Sequence, residues 1–292
     1  MKIVKRKVKG NLYFYLEHSI REKNRIIKKQ EYLGKEIPIN IDKIKSGFLL
    51  DIFKENYFDK FDNIKKNFNK EIKLMPKSAV EKYYEQFIIK FTYNSNRIEG
   101  SALTLKETAN LLELGITPKN KSLDDVKEAE SHKKVFNEML KYEKELNLDA
   151  ILHWHKLLFQ NTKEDITGKI RKHGVKIARS KTEFPIPSEL EFLLRDLFKW
   201  YKKNRSLHPV FLASLVHLKF VSIHPFSDGN GRISRIMMNF VLHKANYPLL
   251  NISYNNRDGY YSALEKSQTK KIESIFTLNI FRKYLKEYKR YI

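Results

Sequence analysis

The chain has 292 residues, 41% of them hydrophobic, enough for one large domain or for a core with a smaller appendage. It carries 57 basic against 34 acidic side chains, a formal charge of +23. That balance attracts polyanions (nucleic acid, anionic lipid or acidic protein), although the lysines are spread as on an ordinary solvated surface. Without cysteine, disulfides and thiolate metal centres are excluded. No apolar run approaches the ~18 residues that span a bilayer, and MKIVKRKVKGNLYFY lacks the apolar core of a secretory leader. A cytoplasmic protein with no membrane partner is the expectation.

The first forty residues differ from the rest. Asn11–Leu16 and Arg25–Leu33 are rich in strand formers and are separated by the polar stretch 21–24, which predicts a β-hairpin or small sheet. Eleven Lys and Arg face three Glu between residues 1 and 35. With Tyr13, Phe14 and Tyr15 interleaved, this region reads either as a nucleic-acid grip or as a sheet packed by its aromatics. Residues 41–75 read as amphipathic helix, broken near Met75-Pro76. The spacing therefore predicts a basic extension over 1–75 and a helical domain over 76–292.

A long helix is predicted over 79–100, with Gly100 as its stop. Thr104 and Glu107 stand in capping-box register for the next helix. Ser122 or Asp124 opens another running to about Lys144, and 148–160 is a short one. Residues 168–187 hold glycines, prolines and the alternation Val175/Ile177, predicting a hairpin inside a helical protein. Helix resumes over 188–203. Pro209 starts a stretch, PVFLASLVHLKFVSI, that is apolar on nearly every side and so is expected at the centre. Helices over 232–244, 258–266 and 272–291 complete a mainly α chain.

One link in this frame carries chemistry: IHPFSDGNGRISR, residues 223–235. Arg232 and Arg235 fall in the first turns of a helix, where partial positive charge and unpaired N–H groups already reside. A bound anion resolves that conflict. Gly229 and Gly231 permit a concave nest of N–H groups at the helix start. Arg232 and Arg235, three apart, share a face, and Asn239 continues it. Asp228 would repel a phosphate unless a cation such as Mg²⁺ lay between. His224, at the other end, can take a proton from an incoming hydroxyl. Base, metal ligand, phosphate nest and clamps together describe nucleotidyl or phosphoryl transfer to a hydroxyl.

His224-Pro-Phe-x-x-Gly-Asn-Gly-Arg-x-x-Arg235 resembles the signature of the Fic (filamentation induced by cAMP) domain, with supporting similarity from about Ser95 to Lys283. The resemblance implies a Fic-type helical bundle with a β-hairpin flap, and transfer of AMP from ATP to a Ser, Thr or Tyr hydroxyl of a target protein. It implies His224 as base, Phe226 as loop anchor and Asp228 as Mg²⁺ ligand. It implies Gly229, Asn230, Gly231, Arg232 and Arg235 around the phosphates, with Arg235 at the γ-phosphate and Tyr260 and Tyr261 at the adenine. The segment near Val175–Phe184 is similar to the family flap that aligns a target strand by β-augmentation.

Ser95-x-x-x-Glu99-Gly100 resembles the family's inhibitory motif. Glu99 at a helix C-terminus opposes the dipole and wants a cation; Arg235 without nucleotide wants an anion. A Glu99–Arg235 pair is therefore expected to hold the resting protein off. The same glutamate could orient a water for de-AMPylation, so the direction of the reaction stays open, as do another nucleotide and phosphocholine transfer. Self-modification and a homodimer are compatible with the family. A nucleic-acid-binding regulator acting through the basic N-terminal region is the alternative of another class, and a toxin of a toxin–antitoxin pair ranks below both. His217 is expected as a buried structural histidine, and His153 and His155 are assigned no chemistry.

Overall fold

A computed structural model describes residues 1–22, 25–177 and 180–292. The chain forms two compact units, Met1–Asp62 and Asn63–Ile292, divided inside a helix. The first unit holds three antiparallel strands in the order β1 (Lys2–Val8), β2 (Asn11–Glu22) and β3 (Arg25–Gly34). The sequence reading anticipated β2 and β3 but not β1. The overlooked signal is Lys9-Gly10: both residues have positive φ, +48° and +84°, the backbone of a two-residue hairpin turn. Residues 23–24, in the polar stretch between the two expected strands, lie outside the described residues.

Val4 pairs with Tyr15, and Arg6 with Tyr13. Leu33 bulges between the pairs Tyr15–Tyr32 and Phe14–Gly34. Alternation puts Leu16 and Ile20 on a buried face and Tyr13, Tyr15 and Tyr32 on the other. There the Tyr32 ring lies 6.0 Å from Tyr13 and 5.3 Å from Tyr15. Helix α1 (Ile41–Phe53) adds buried Ile52 and Phe53 to this unit, and a π-helical turn at Lys54–Phe58 carries the chain into α2 (Asp59–Leu74).

In the second unit, Pro76 caps α3 (Lys77–Ile98). Helix α4 (Leu105–Leu114) begins with the expected Thr104–Glu107 capping box, and α5 (Leu123–Lys141) is capped by Ser122. Helix α6 (Leu148–Phe159) starts at Asn147. Then come α7 (Leu190–Lys203), α8 (Pro209–Ile223), α9 (Asn230–Lys244), α10 (Arg257–Lys270) and α11 (Glu273–Glu287). As its composition requires, α8 lies at the centre, against α9, α7 and α11. Eleven of its fifteen residues are buried, so the loop it feeds into α9 hangs from a rigid support.

The expected hairpin over 168–187 is corrected: its described residues form no strand, and residues 178–179 lie outside them. Side chains hold this segment instead of a ladder. Glu265 of α10 accepts from the Ser180 hydroxyl at 3.0 Å and the Lys181 N–H at 2.7 Å, and the Thr182 hydroxyl donates to Gln268 at 3.1 Å. Among the described residues no helix is long and apolar enough to cross a membrane.

Candidate active site

Helix α8 ends when His224 takes the left-handed conformation, φ +52° and ψ +56°. This turns its ring toward the Val221 carbonyl, 3.3 Å from Nδ1. A carbonyl only accepts, so Nδ1 carries the proton and Nε2 keeps its lone pair. Burial pushes the His224 pKa down to about 4, so the ring is neutral near pH 7. The Phe184 ring lies 4.2 Å away. Phe226 is fully buried and stacks on His155 at 3.8 Å. The Asn230 amide closes the loop: Oδ1 accepts from Phe226 N–H at 2.9 Å, and Nδ2 donates to Phe226 O at 2.8 Å. Gly229, at φ +81°, brings no side-chain cap to α9, and an uncapped helix start is the kind that receives anions.

The anion that the sequence asks for is supplied at rest by α3. Gly100, at φ +107°, ends α3 with two reverse hydrogen bonds, Gly100 N–H to Arg97 O at 3.2 Å and Ser101 N–H to Asn96 O at 3.0 Å. Glu99 is thereby fixed at the cap. Its Oε1 accepts from Arg235 Nη2 at 2.7 Å and lies so close over Gly231 that any Cβ there would collide with it. Ser95 takes the rest of the guanidinium, its Oγ accepting from Nε and its carbonyl from Nη2, each at 3.0 Å. Arg235 is 1% exposed. Burial works against its charge, but Glu99 outweighs this and holds the guanidinium above its ordinary range. Among the described residues Nη1 finds no hydrogen-bond acceptor, and it lies beside Gly231 at the helix start.

A second group of charges lies at the Asp228 end. Oδ1 of Asp228 accepts from Gly229 N–H and from Arg232 Nη2, the latter at 3.2 Å; Oδ2 meets Lys163 Nζ at 2.5 Å. Glu128 of α5 pairs with Arg232 and lies 3.2 Å from Lys163. Burial would raise the Asp228 carboxyl, yet Arg232 and Lys163 bring it below the usual carboxylate range. Asn96, Glu99, Glu128, Lys163, Asp228 and Arg232 all line one cavity of about 240 Å³. The larger cavity, about 490 Å³ beside Trp200 and Gln268, is lined by none of them.

Tyr260 and Tyr261 diverge. Tyr260 is buried and bonds His217 Nε2 at 2.9 Å. Tyr261 is half exposed and donates to the Ile98 carbonyl, at the end of α3, at 3.1 Å. His217 is buried and also meets Ser234, the structural place expected of it. His155, given no role from the sequence, is a loop clamp. Its Nδ1 accepts from Gly168 N–H at 3.0 Å, which leaves Nε2–H to donate to the Asp228 carbonyl at 3.1 Å. Arg171 went unnoticed as well. It is 3% exposed and spreads its donors over the carbonyls of His224, His173 and Pro185 at 2.8, 2.7 and 2.7 Å. The one available signal for it was an arginine between two glycines, in a stretch otherwise read as strand.

The Fic/DOC family pattern matches residues 145–242. Protein adenylyltransferase Fic of Drosophila virilis is 33% identical over 193 residues, 64% of this chain and 39% of that protein. The same-named protein of Drosophila grimshawi is also 33% identical, with 40% of its length covered. The chain thus spans well under half the length of these curated relatives. Among solved structures, a Fic domain containing signaling protein from Bacteroides thetaiotaomicron superposes with a TM-score of 0.72 at 26% identity, covering 78% of this chain and 95% of that one. Fic-1 of C. elegans superposes at 0.73 with 23% identity, covering 85% and 74%, a likeness of fold. Signature loop, helical support and matched region coincide: residues 145–242 match the Fic/DOC family.

Proposed function

We propose that the chain transfers AMP from ATP to a hydroxyl group of a target protein, and that Glu99 holds this activity off at rest. One arrangement carries the reading: neutral His224, its Nδ1 turned to the Val221 carbonyl, opens the loop into α9, and Arg235 in the first turns of that helix is paired at rest with an internal carboxylate, Glu99. The Gly229-Asn230-Gly231 turn lines the phosphates, with the N–H groups of Asn230 and Gly231 toward them and that of Gly229 kept on Asp228, Arg232 steadies the loop, and Arg235 takes the γ-phosphate once Glu99 leaves. Tyr261, and Tyr260 behind it, border the adenine. His224 Nε2 removes the hydroxyl proton. The hydroxyl oxygen bonds to the α-phosphorus, the α-phosphorus–oxygen bond to the β-phosphate breaks, and pyrophosphate leaves.

Asp228 fits Mg²⁺. Its Oδ2 is already seated against a cation, the Lys163 ammonium, and one carboxylate with phosphate oxygens and waters suits this ion. The ion, when bound, offsets charge on the phosphates. ATP labelled at the α- or γ-phosphorus tests the reading. Glu99→Gly protein should incorporate α-label into protein and leave γ-label free, and His224→Ala should abolish incorporation. Transfer of γ-label, or full labelling without His224, refutes it. Faster AMP release from a modified protein by wild type than by Glu99→Gly would assign Glu99 to the reverse hydrolysis.

A second reading, independent of the first, concerns the N-terminal sheet. Three tyrosines share its open face, and Arg6 covers Tyr15 at 5.0 Å. Stacking surface amid positive charge suits single-stranded nucleic acid. Binding of a fluorescent oligonucleotide should weaken with salt and on Tyr15→Ala or Arg6→Ala; equal binding by the variants counts against it.

A further inference from the structure

Resting on the reading of Asp228 as the metal-side carboxylate, we propose that Lys163 is a tethered competitor of the divalent ion: its ammonium occupies the Asp228 oxygen that a metal would take. Lys163 Nζ lies 2.5 Å from Asp228 Oδ2, while Oδ1 is already shared by the Gly229 N–H and Arg232. Both oxygens are therefore engaged, and only the Lys163 side can be vacated without undoing the loop.

The backbone of Lys163 is fixed where this requires. Its N–H donates to Phe159 O at 2.9 Å, and its carbonyl accepts from the Thr167 hydroxyl at 3.0 Å. The side chain is 37% exposed, so the ammonium can swing out while the main chain stays. It also has a second seat, since Glu128 Oε1 lies 3.2 Å away. Phe159 places an aromatic face 5.1 Å from the ammonium and 4.7 Å from the Arg232 guanidinium. The quartet Glu128, Lys163, Asp228 and Arg232 is neutral as it stands. A divalent ion arriving with its triphosphate displaces the ammonium from Asp228 and leaves it on Glu128. Lys163 thus sets the metal concentration at which the site fills, and it keeps the carboxylate neutralised in between.

The experiment is a titration of the 292-residue chain with Mn²⁺, with and without a non-hydrolysable ATP analogue, free ion being read by electron paramagnetic resonance. No turnover is needed. Lys163→Met should bind Mn²⁺ about five-fold more tightly than wild type, the scale of one half-exposed charge pair. Lys163→Arg should stay near wild type. Lys169→Gln, which removes the same charge from an ammonium seated on the Asp165 carbonyl, should also stay near wild type. Asp228→Asn should abolish the tight site in every background. Equal affinity in Lys163→Met and wild type, or an equal gain in Lys169→Gln, overturns the competitor while leaving Asp228 as ligand. A tight site that survives Asp228→Asn overturns both this inference and the reading beneath it.

Discussion

At Gly229 the main chain has φ +81°, and a Cβ there would lie 2.5 Å from Cε2 of Phe159. Substitution by alanine meets both a disfavoured backbone and a ring that also carries Arg232. Gly229→Ala should lower stability by roughly 1–3 kcal/mol, seen as an earlier thermal transition, and should weaken binding of the ATP analogue. Glu99 presents the opposite case. Its removal strips a buried arginine of its counter-ion, so Glu99→Gly should melt earlier than wild type without ligand, by about 1–3 kcal/mol. ATP should restore that loss, because a phosphate then takes the vacant position. A variant equally unstable with and without ATP would mean that Arg235 does not meet the nucleotide. The sequence made the Glu99–Arg235 pair legible because each end violates a helix-dipole preference that only the other repairs. It did not disclose Glu128 or Lys163, since surface-type charges in a lysine-rich chain carry no mark of the loop they face.

Between α6 and the segment before α7, residues 155–171 strap the loop at both ends: His155 on the Asp228 carbonyl, Arg171 on those of His224 and, through its N–H, Pro225. The guanidinium meets the three carbonyls with three different nitrogens of one rigid plane, a spread that the single nitrogen of an ammonium does not match. Arg171→Lys should therefore loosen residues 172–186, with faster cleavage there in limited proteolysis. It should also lower the transfer rate by about ten-fold or more, because His224 is misplaced. Unchanged cleavage would show that Glu265 and Gln268 hold the segment unaided. The helices were readable from apolar periodicity, caps and the Pro76 and Gly100 breaks. Two β features were not. β1 was passed over because Lys5, Arg6 and Lys7 interrupt its alternation. The 168–187 segment looked like a hairpin, although Ser180, Lys181 and Thr182 bond to α10 and the carbonyls of His173 and Pro185 to Arg171, partners that local pattern cannot show.

Across the whole second unit, His132, His155, His217 and His224 are held neutral, burial being the leading cause at each. His155 and His224 titrate at about 4, against the usual 6.5. In the unfolded chain they take up protons first, so stability is full above pH 6.5 and falls as pH drops toward 4, by up to about 3 kcal/mol for each of these two. The urea midpoint should slope downward across that window, and His155→Phe should flatten the slope. A flat profile in the wild type would contradict the buried, neutral arrangement. The central claim, that the 224–235 loop cradles a triphosphate whose place Glu99 fills at rest, is tested most directly by calorimetric titration of a non-hydrolysable ATP analogue with Mg²⁺. Glu99→Gly should bind at least about ten-fold more tightly than wild type, and Glu99→Gly with Arg235→Ala should lose that gain. Equal affinity in all three proteins would contradict the account.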